Sequence, residues 1–582
     1  MKKLLVWSLA FVLIISALLL LAGCKKECTH SYEKTVTPPN CTEAGKERFD
    51  CTKCDHFYIV ETDKANGVHN VQNGVCTFCG GKESTPGLKY IQNADGTYTV
   101  TGKGSCTETD IVIGIYNNRD VTTIGDSAFY YCTSLTSIEL PDSLTTIGYE
   151  AFSDCTRLTS IVIPEGVTTI GERAFDGCSS LKSIELPDSL TTIGVQAFYW
   201  CTSLKSIVIP EGVTTIGNDA FYNCISLTSI ELPDSLTTIG DNAFSWCDSL
   251  KSIVIPEGVT TIGVQAFYNC TSLKSIVIPE GVTAIGNDAF SYCTSLTRIE
   301  LPDSLTAIGA DAFHDCDSLT SITVAEGNEN YKSIDGNLYS KDGEILIQYA
   351  IGKTDTAFTV PEGVTTLGDN AFSRCISLKS IVIPDSLTAI GADAFSWCAS
   401  LKSIVIPEGV TTIRAYAFSN CTSLTIYCEV AEKQDGWSNS WNSSNRPVVW
   451  GCQVTGDGFV YETTNNSVSI LKYIGLDNNI VIPTVIDGKN VTTIGDRAFS
   501  SCYSLTSIEL PDSLTTIGER AFSWCTSLTS IVIPEGVTTI GNYAFYWCTS
   551  LTIYCEVAEK PEGWDSDWNS SNCPVIWGYT GE

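Results

Sequence analysis

The chain has 582 residues, too many for one compact core, and a formal charge of -32 from 66 acidic against 34 basic residues. Nucleic acid and anionic lipid surfaces both require a basic footprint, so neither is an expected partner. Only 17% of residues are charged and 43% are apolar, which describes an ordered acidic protein.

The first segment is a targeting sequence. Lys2 and Lys3 are followed by the apolar run Leu4–Leu21 and by Leu-Ala-Gly-Cys at 21–24. The run is long enough to be weighed as a membrane-spanning helix, but Ala22 and Gly23 before Cys24 favour cleavage over an uncleaved anchor. Leu-Ala-Gly-Cys resembles the lipobox of bacterial lipoproteins. That resemblance implies a signal peptide over 1–23 and acylation of Cys24, with everything beyond it extracytoplasmic. Two or more acyl chains hold a protein durably where one is marginal. This lipid is the only membrane contact expected.

Residues 24–86 form a small module and linker, ending in "GGKESTPG" at 80–87. Cys51-x2-Cys54 and Cys76-x2-Cys79 are spaced like the two knuckles of a zinc ribbon, which share one tetrahedral ion. Cys28, His30, Cys41 and His69 could form a second site. His56 stands where such modules more often carry glycine and is left outside the ligand set. The competing reading is a disulfide scaffold, since six cysteines follow Cys24 in this module and the compartment can oxidise them. Both readings are structural: a short stretch poor in large apolar side chains needs a staple, and four full ligands leave no open position for catalysis.

From residue 110 a 23-residue unit takes over. Its cysteine recurs at 132, 155, 178, 201, 224, 247, 270, 293 and 316, then at 375, 398 and 421, and again at 502, 525 and 548. Within a unit, Ile138-Glu139-Leu140 alternates as a short strand does. Pro141-Asp142-Ser143, or Pro164-Glu165-Gly166 in the next unit, is turn chemistry that ends it. Thr145-Thr146-Ile147 reads as a second extended piece stopped by Gly148, and Ala-Phe-x-x-Cys as a single helical turn. No unit can bury its apolar positions alone, so successive units must stack as a solenoid.

The pattern LxxIxLPxxLxxIGxxAFxxC resembles the BspA-like, or type 5, leucine-rich repeats of bacterial surface proteins, over roughly residues 110–428 and 480–556. The resemblance implies a β-rich, right-handed superhelix with a parallel concave sheet and short helical turns. It also implies attachment to matrix or mucosal components or to other cells, through extracellular proteins or glycans. A structural or polysaccharide-binding role on the same cell is the alternative. Between Cys316 and Cys375 the spacing lengthens to 59, and Asp342-Gly343 between apolar runs marks a hairpin-bearing long coil at about 325–360. The segment "LTIYCEVAEKQDGWSNSWNSSNRPVVWG" at 424–451 returns almost unchanged at 551–578, each time after the last unit of a block. Each copy reads as a cap. The expected organisation is one solenoid over 87–452 and a shorter one over 453–582.

No catalytic constellation emerges. His314 is the only histidine in the repeats, and no serine elbow or phosphate-cradling loop is present. The repeating cysteines, without a histidine to activate them, read as small buried fillers. What remains is surface. The position between the strand apolars alternates acid with valine, including Glu139, Glu185 and Glu231 against Val162 and Val208. The residue before the repeat cysteine is aromatic in some units, as Tyr131, Trp200, Trp246, Tyr292, Trp397, Trp524 and Trp547, and polar or glycine in the rest. These rings either pack along coil edges or form a row of amphipathic anchors of the kind that dominates binding hot spots.

Overall fold

A 23-residue unit stands only by contact with its neighbours, so coil-to-coil geometry carries the fold. The computed structural model describes residues 32–37, 46–51, 57–61, 71–76 and 81–581, apart from 465 and 476. It divides into two compact units, residues 1–236 and 237–582.

In the first unit, Tyr32–Thr37, Lys46–Cys51 and Phe57–Glu61 make a three-stranded antiparallel sheet. A tight hairpin pairs Val71–Gln72 with Val75–Cys76, and Glu83 then bridges to Ile115. The antiparallel pair Lys89–Gln92 and Tyr98–Gly102 opens the solenoid. From there each coil contributes short parallel strands on two sides. Ser160–Val162 pairs in register with Ser183–Glu185, and Ser206–Val208 with Ser229–Glu231. On the other side Val121–Ile124, Thr146–Ile147, Thr169–Ile170, Thr192–Ile193 and Thr215–Ile216 stack in order, isoleucine over isoleucine.

The second unit continues the same pattern through Ala307–Ile308. A longer coil follows. Tyr331–Ile334, Asn337–Ser340 and Ile345–Gln348 run antiparallel, turning at Gly343, and Ile345–Gln348 then rejoins the parallel ladder beside Thr366–Leu367. The block closes with Thr425–Cys428 beside Val448–Trp450. A second block opens with antiparallel Phe459–Thr463 and Ser467–Tyr473 and closes with Thr552–Cys555 beside Val575–Trp577. Val405 and Tyr427 of the first block are buried against Val460 and Ile474 of the second.

The repeat's fixed letters are columns in this stack. Phe129, Phe152, Phe175 and Phe198 are fully buried, with ring centroids 5.3–5.6 Å apart and planes within 9°. Such offset stacks add about 0.5–1.5 kcal/mol per pair to the burial itself. Cysteines of the regular coils donate Sγ to the phenylalanine carbonyl of the preceding coil, as Cys155 does to Phe129 at 3.2 Å and Cys178 to Phe152 at 3.1 Å. The glycine after Thr-Thr-Ile is set by close approach, since a Cβ on Gly171 would lie 2.6 Å from the backbone of Gly148. Where a turn carries serine, its hydroxyl ties two coils, as Ser189 Oγ donates to Val167 O at 2.9 Å.

The expected helical turn at Ala-Phe-x-x-Cys is not there, and no helix occurs among the described residues. A helix would keep every amide within the segment. Here alternate amides serve the next coil: Phe129 N donates to Ala151 O and Tyr131 N to Ser153 O, both at 2.8 Å. The amides between them close i→i+3 turns, Tyr130 N to Ser127 O and Cys132 N to Phe129 O. That alternation needs left-handed residues at Ser127 and Tyr131, with φ of 52° and 57°.

Candidate binding surface

The residue before each repeat cysteine is left-handed in all fifteen coils, with φ between 56° and 68°. Asn223, Asn269, Asn420, Asp154, Asp315 and Gly177 suit that geometry, because short polar side chains and glycine enter it readily. Seven coils place a tryptophan or tyrosine there instead. A bulky side chain in this region costs about 1 kcal/mol or more. The cost recurs at Tyr131, Trp200, Trp246, Tyr292, Trp397, Trp524 and Trp547.

These rings are partly packed and partly bare. Trp524 and Trp547 stack at 4.8 Å with planes 3° apart. Trp246, Tyr268 and Tyr292 follow one another at 6.1 and 5.2 Å, and Tyr292 meets His314 edge-on. Tyr131 stays 67% exposed, and Trp397, 54% exposed, has no aromatic neighbour among the described residues.

On the strand face Val162, Val208, Val254 and Val277 stand in solvent, Val254 to 82%, and Glu185 and Glu231 are exposed on the same face. Glu139 is already engaged by Lys82 Nζ at 2.7 Å, an exposed ion pair of little energetic weight. Of the module's cysteines and histidines, Cys76 alone has a described side chain, buried beside Ile115 and Val71. Cys51 ends a placed strand. Cys24, Cys28, His30, Cys41, Cys54, His69 and Cys79 lie outside the described residues. No three metal-capable side chains converge among the described residues.

The repeat thiols are chemically quiet. Burial pushes Cys178, Cys201 and Cys293 well above the ordinary thiol range, and Cys548 to about 12. A thiol so rarely ionised is a poor nucleophile at neutral pH.

One carboxyl departs from its neighbours. Burial pushes Asp176 up to about 6, Asp154 adding to the effect and Arg173 opposing it. Between about pH 4 and 6 the folded chain therefore holds a proton the unfolded chain releases, so this residue's contribution falls as pH rises through that window. Asp176→Asn is expected to raise stability by about 1 kcal/mol at pH 7, the full shift being discounted for partial solvation. The gain should vanish at pH 4, as read from urea midpoints of parent and variant at both pH values.

Stacked short strands and a phenylalanine column define a leucine-rich-repeat solenoid, with aromatic residues at several of its coil corners. The family described as "BspA type Leucine rich repeat region" matches residues 122–251, 214–345, 352–430 and 476–556, and the chain belongs to that family. Among solved structures, a leucine-rich repeat protein from Bacteroides ovatus is 27% identical, covering 81% of this chain and 98% of its own, with a TM-score of 0.45. A leucine rich cell surface protein from Faecalibacterium prausnitzii is 28% identical over 86% of this chain and 98% of its own, with a TM-score of 0.39. No curated protein matches the chain.

Sequence reasoning passed over three lysines, Lys379, Lys402 and Lys472, which line neighbouring clefts in the second unit. The only signal was weak, because Lys182, Lys205, Lys251 and Lys274 occupy the same repeat position as Lys379 and Lys402.

Proposed function

We propose that this is a lipid-anchored extracytoplasmic binding protein. In this reading it attaches to extracellular proteins or glycans of a host surface or of other cells, through the aromatic corners of its solenoid. The carrying observation is that seven coils keep a bulky ring at a left-handed position that asparagine fills elsewhere in the same array. A residue held at an energetic cost, and left partly bare, has a use outside the fold. Repetition along a stack multiplies weak contacts into avidity. The outward valine face supports the same reading, since at Val405 it already accepts apolar side chains of the second block. The cysteine and histidine module serves as a stapled spacer, through zinc or disulfides, between lipid and solenoid. Membership of the BspA-type repeat family supports a binding role, and the lipid anchor rests on the Leu-Ala-Gly-Cys motif at 21–24.

The test uses the full chain against matrix proteins, mucins and a glycan array, beside a variant with Trp200, Trp246 and Trp397 changed to asparagine. Binding should weaken at least tenfold while thermal stability holds or rises, by up to about 1 kcal/mol per site. No saturable binding to any of these ligands would sink the adhesive reading. A destabilised variant that binds as before would show the rings to be coil-edge packing.

A further inference from the structure

The second unit holds a concentration of unpaired positive charge that the aromatic row does not explain. Two neighbouring clefts, of about 180 and 790 Å³, lie between the last coils of the first block and the opening of the second, and share Lys402 and Lys472. Lys379 lines the smaller cleft, and Arg497, Trp524 and Tyr546 the larger. In a chain with nearly twice as many acids as bases, none of these three lysines has a carboxylate partner among the described residues. Lys379 Nζ lies 4.6 Å over the Tyr503 ring, and Lys472 Nζ reaches only the Arg497 carbonyl, at 3.4 Å. Of the acids that line these two clefts, Asp496 accepts the Glu519 amide at 2.8 Å and Glu519 pairs with Arg520 at 3.7 Å. Asp477 at the rim of the smaller cleft is the exception.

We propose that this pair of clefts is a binding site for an acidic oligosaccharide, its carboxylate or sulfate groups set against Lys379, Lys402 and Lys472. Two features favour a sugar over an acidic peptide. Trp524 and Tyr546 line the larger cleft at 39% and 36% exposure; Trp547 stacks on one face of Trp524, and the remaining ring surface can take a pyranose. The hydroxyls of Ser423 and Ser501 also line the larger cleft and match a sugar's own donors and acceptors, whereas Ser500 and Ser523 bond each other at 2.8 Å. Desolvation also holds the Lys472 ammonium below the ordinary lysine range, a penalty that a bound anion offsets.

The site shares Trp524 with the aromatic row but contains none of Trp200, Trp246 and Trp397, so variants at those three and at the lysines let the two proposals fail separately. Calorimetric titration of the full chain would use a galacturonic acid tetrasaccharide, a sulfated heparin-type tetrasaccharide, neutral maltotetraose and a hexaglutamate peptide. Saturable binding of at least one acidic tetrasaccharide is expected, at least tenfold tighter than maltotetraose or the peptide; the better of the two distinguishes carboxylate from sulfate. Lys379→Gln with Lys402→Gln should weaken it at least tenfold, whereas the asparagine variant at Trp200, Trp246 and Trp397 should not. Both lysines are solvent-accessible, and an unchanged melting temperature would confirm that the double variant folds. If it does not fold, the same loss should appear when the parent is titrated at 0.5 M salt. Equal affinity for maltotetraose, tighter binding of the peptide, no binding of either acidic sugar, or indifference to the lysines and to salt would each overturn the proposal.

Discussion

Trp564→Ala is expected to unfold most of the second block while the first block keeps its protection. Trp564 is 2% exposed, and its Nε1 donates to Val537 O at 3.0 Å. Its ring meets Trp568 edge-on at 4.8 Å, and Trp568 in turn closes the phenylalanine column against Phe545 at 5.8 Å. Removing the ring costs about 3–5 kcal/mol through lost burial and the cavity it leaves, and also strands the Val537 carbonyl. In a one-dimensional array that loss falls on the terminal interface, and only the coils of Phe499, Phe522 and Phe545 stand behind it. Hydrogen exchange read by mass spectrometry should show residues 490–556 losing protection and residues 360–430 retaining it. The equivalent Trp437, bonded to Val410 O at 3.0 Å, is the internal comparison. Its array is longer, so Trp437→Ala should fray the adjoining coil without emptying the block. Equal, local effects from both substitutions would show that the caps do not govern array stability.

Most of the coil was readable because its inward positions alternate or recur at fixed spacing, and stacking makes each letter a column. Leu135, Ile138, Leu144, Ile147, Ala151, Phe152 and Cys155 are buried, as the periods of the unit require, whereas Leu140, just past the strand Ser137–Glu139, is only half-buried. The Ala-Phe-x-x-Cys segment was misread because local propensity says nothing about amides that serve a neighbouring coil. A cue was present in Asp219, Asn223, Asn242 and Asn269, short polar residues at the left-handed corners. The contact between the blocks was illegible for a different reason. Val405, buried under the second block, and Val254, open to solvent, occupy the same letter of the repeat. Likewise Lys402 and Lys205 look alike in sequence, and only tertiary placement gives one of them a cleft.

The largest single-site loss inside an array should come from the phenylalanine column. Phe267 is fully buried, between Phe244 at 5.4 Å and Phe290 at 5.3 Å, so Phe267→Ala removes two stacked contacts as well as the burial of the ring. The expected cost is about 4–5 kcal/mol, near the top of the range for such truncations. Collapse of the cavity is resisted from both sides. The Phe267 carbonyl accepts the Cys270 amide at 3.2 Å and the Cys293 thiol at 3.2 Å, which pin the backbone on which the missing ring stood. Cys293→Ala removes a small side chain with one weak donor from the next coil and should cost no more than about 1–2 kcal/mol. The ratio between the two is the discriminating measurement, taken from denaturant midpoints or from local exchange in residues 261–308. If cysteine removal were the more damaging, the thiol ladder rather than the aromatic stack would be the main tie between coils.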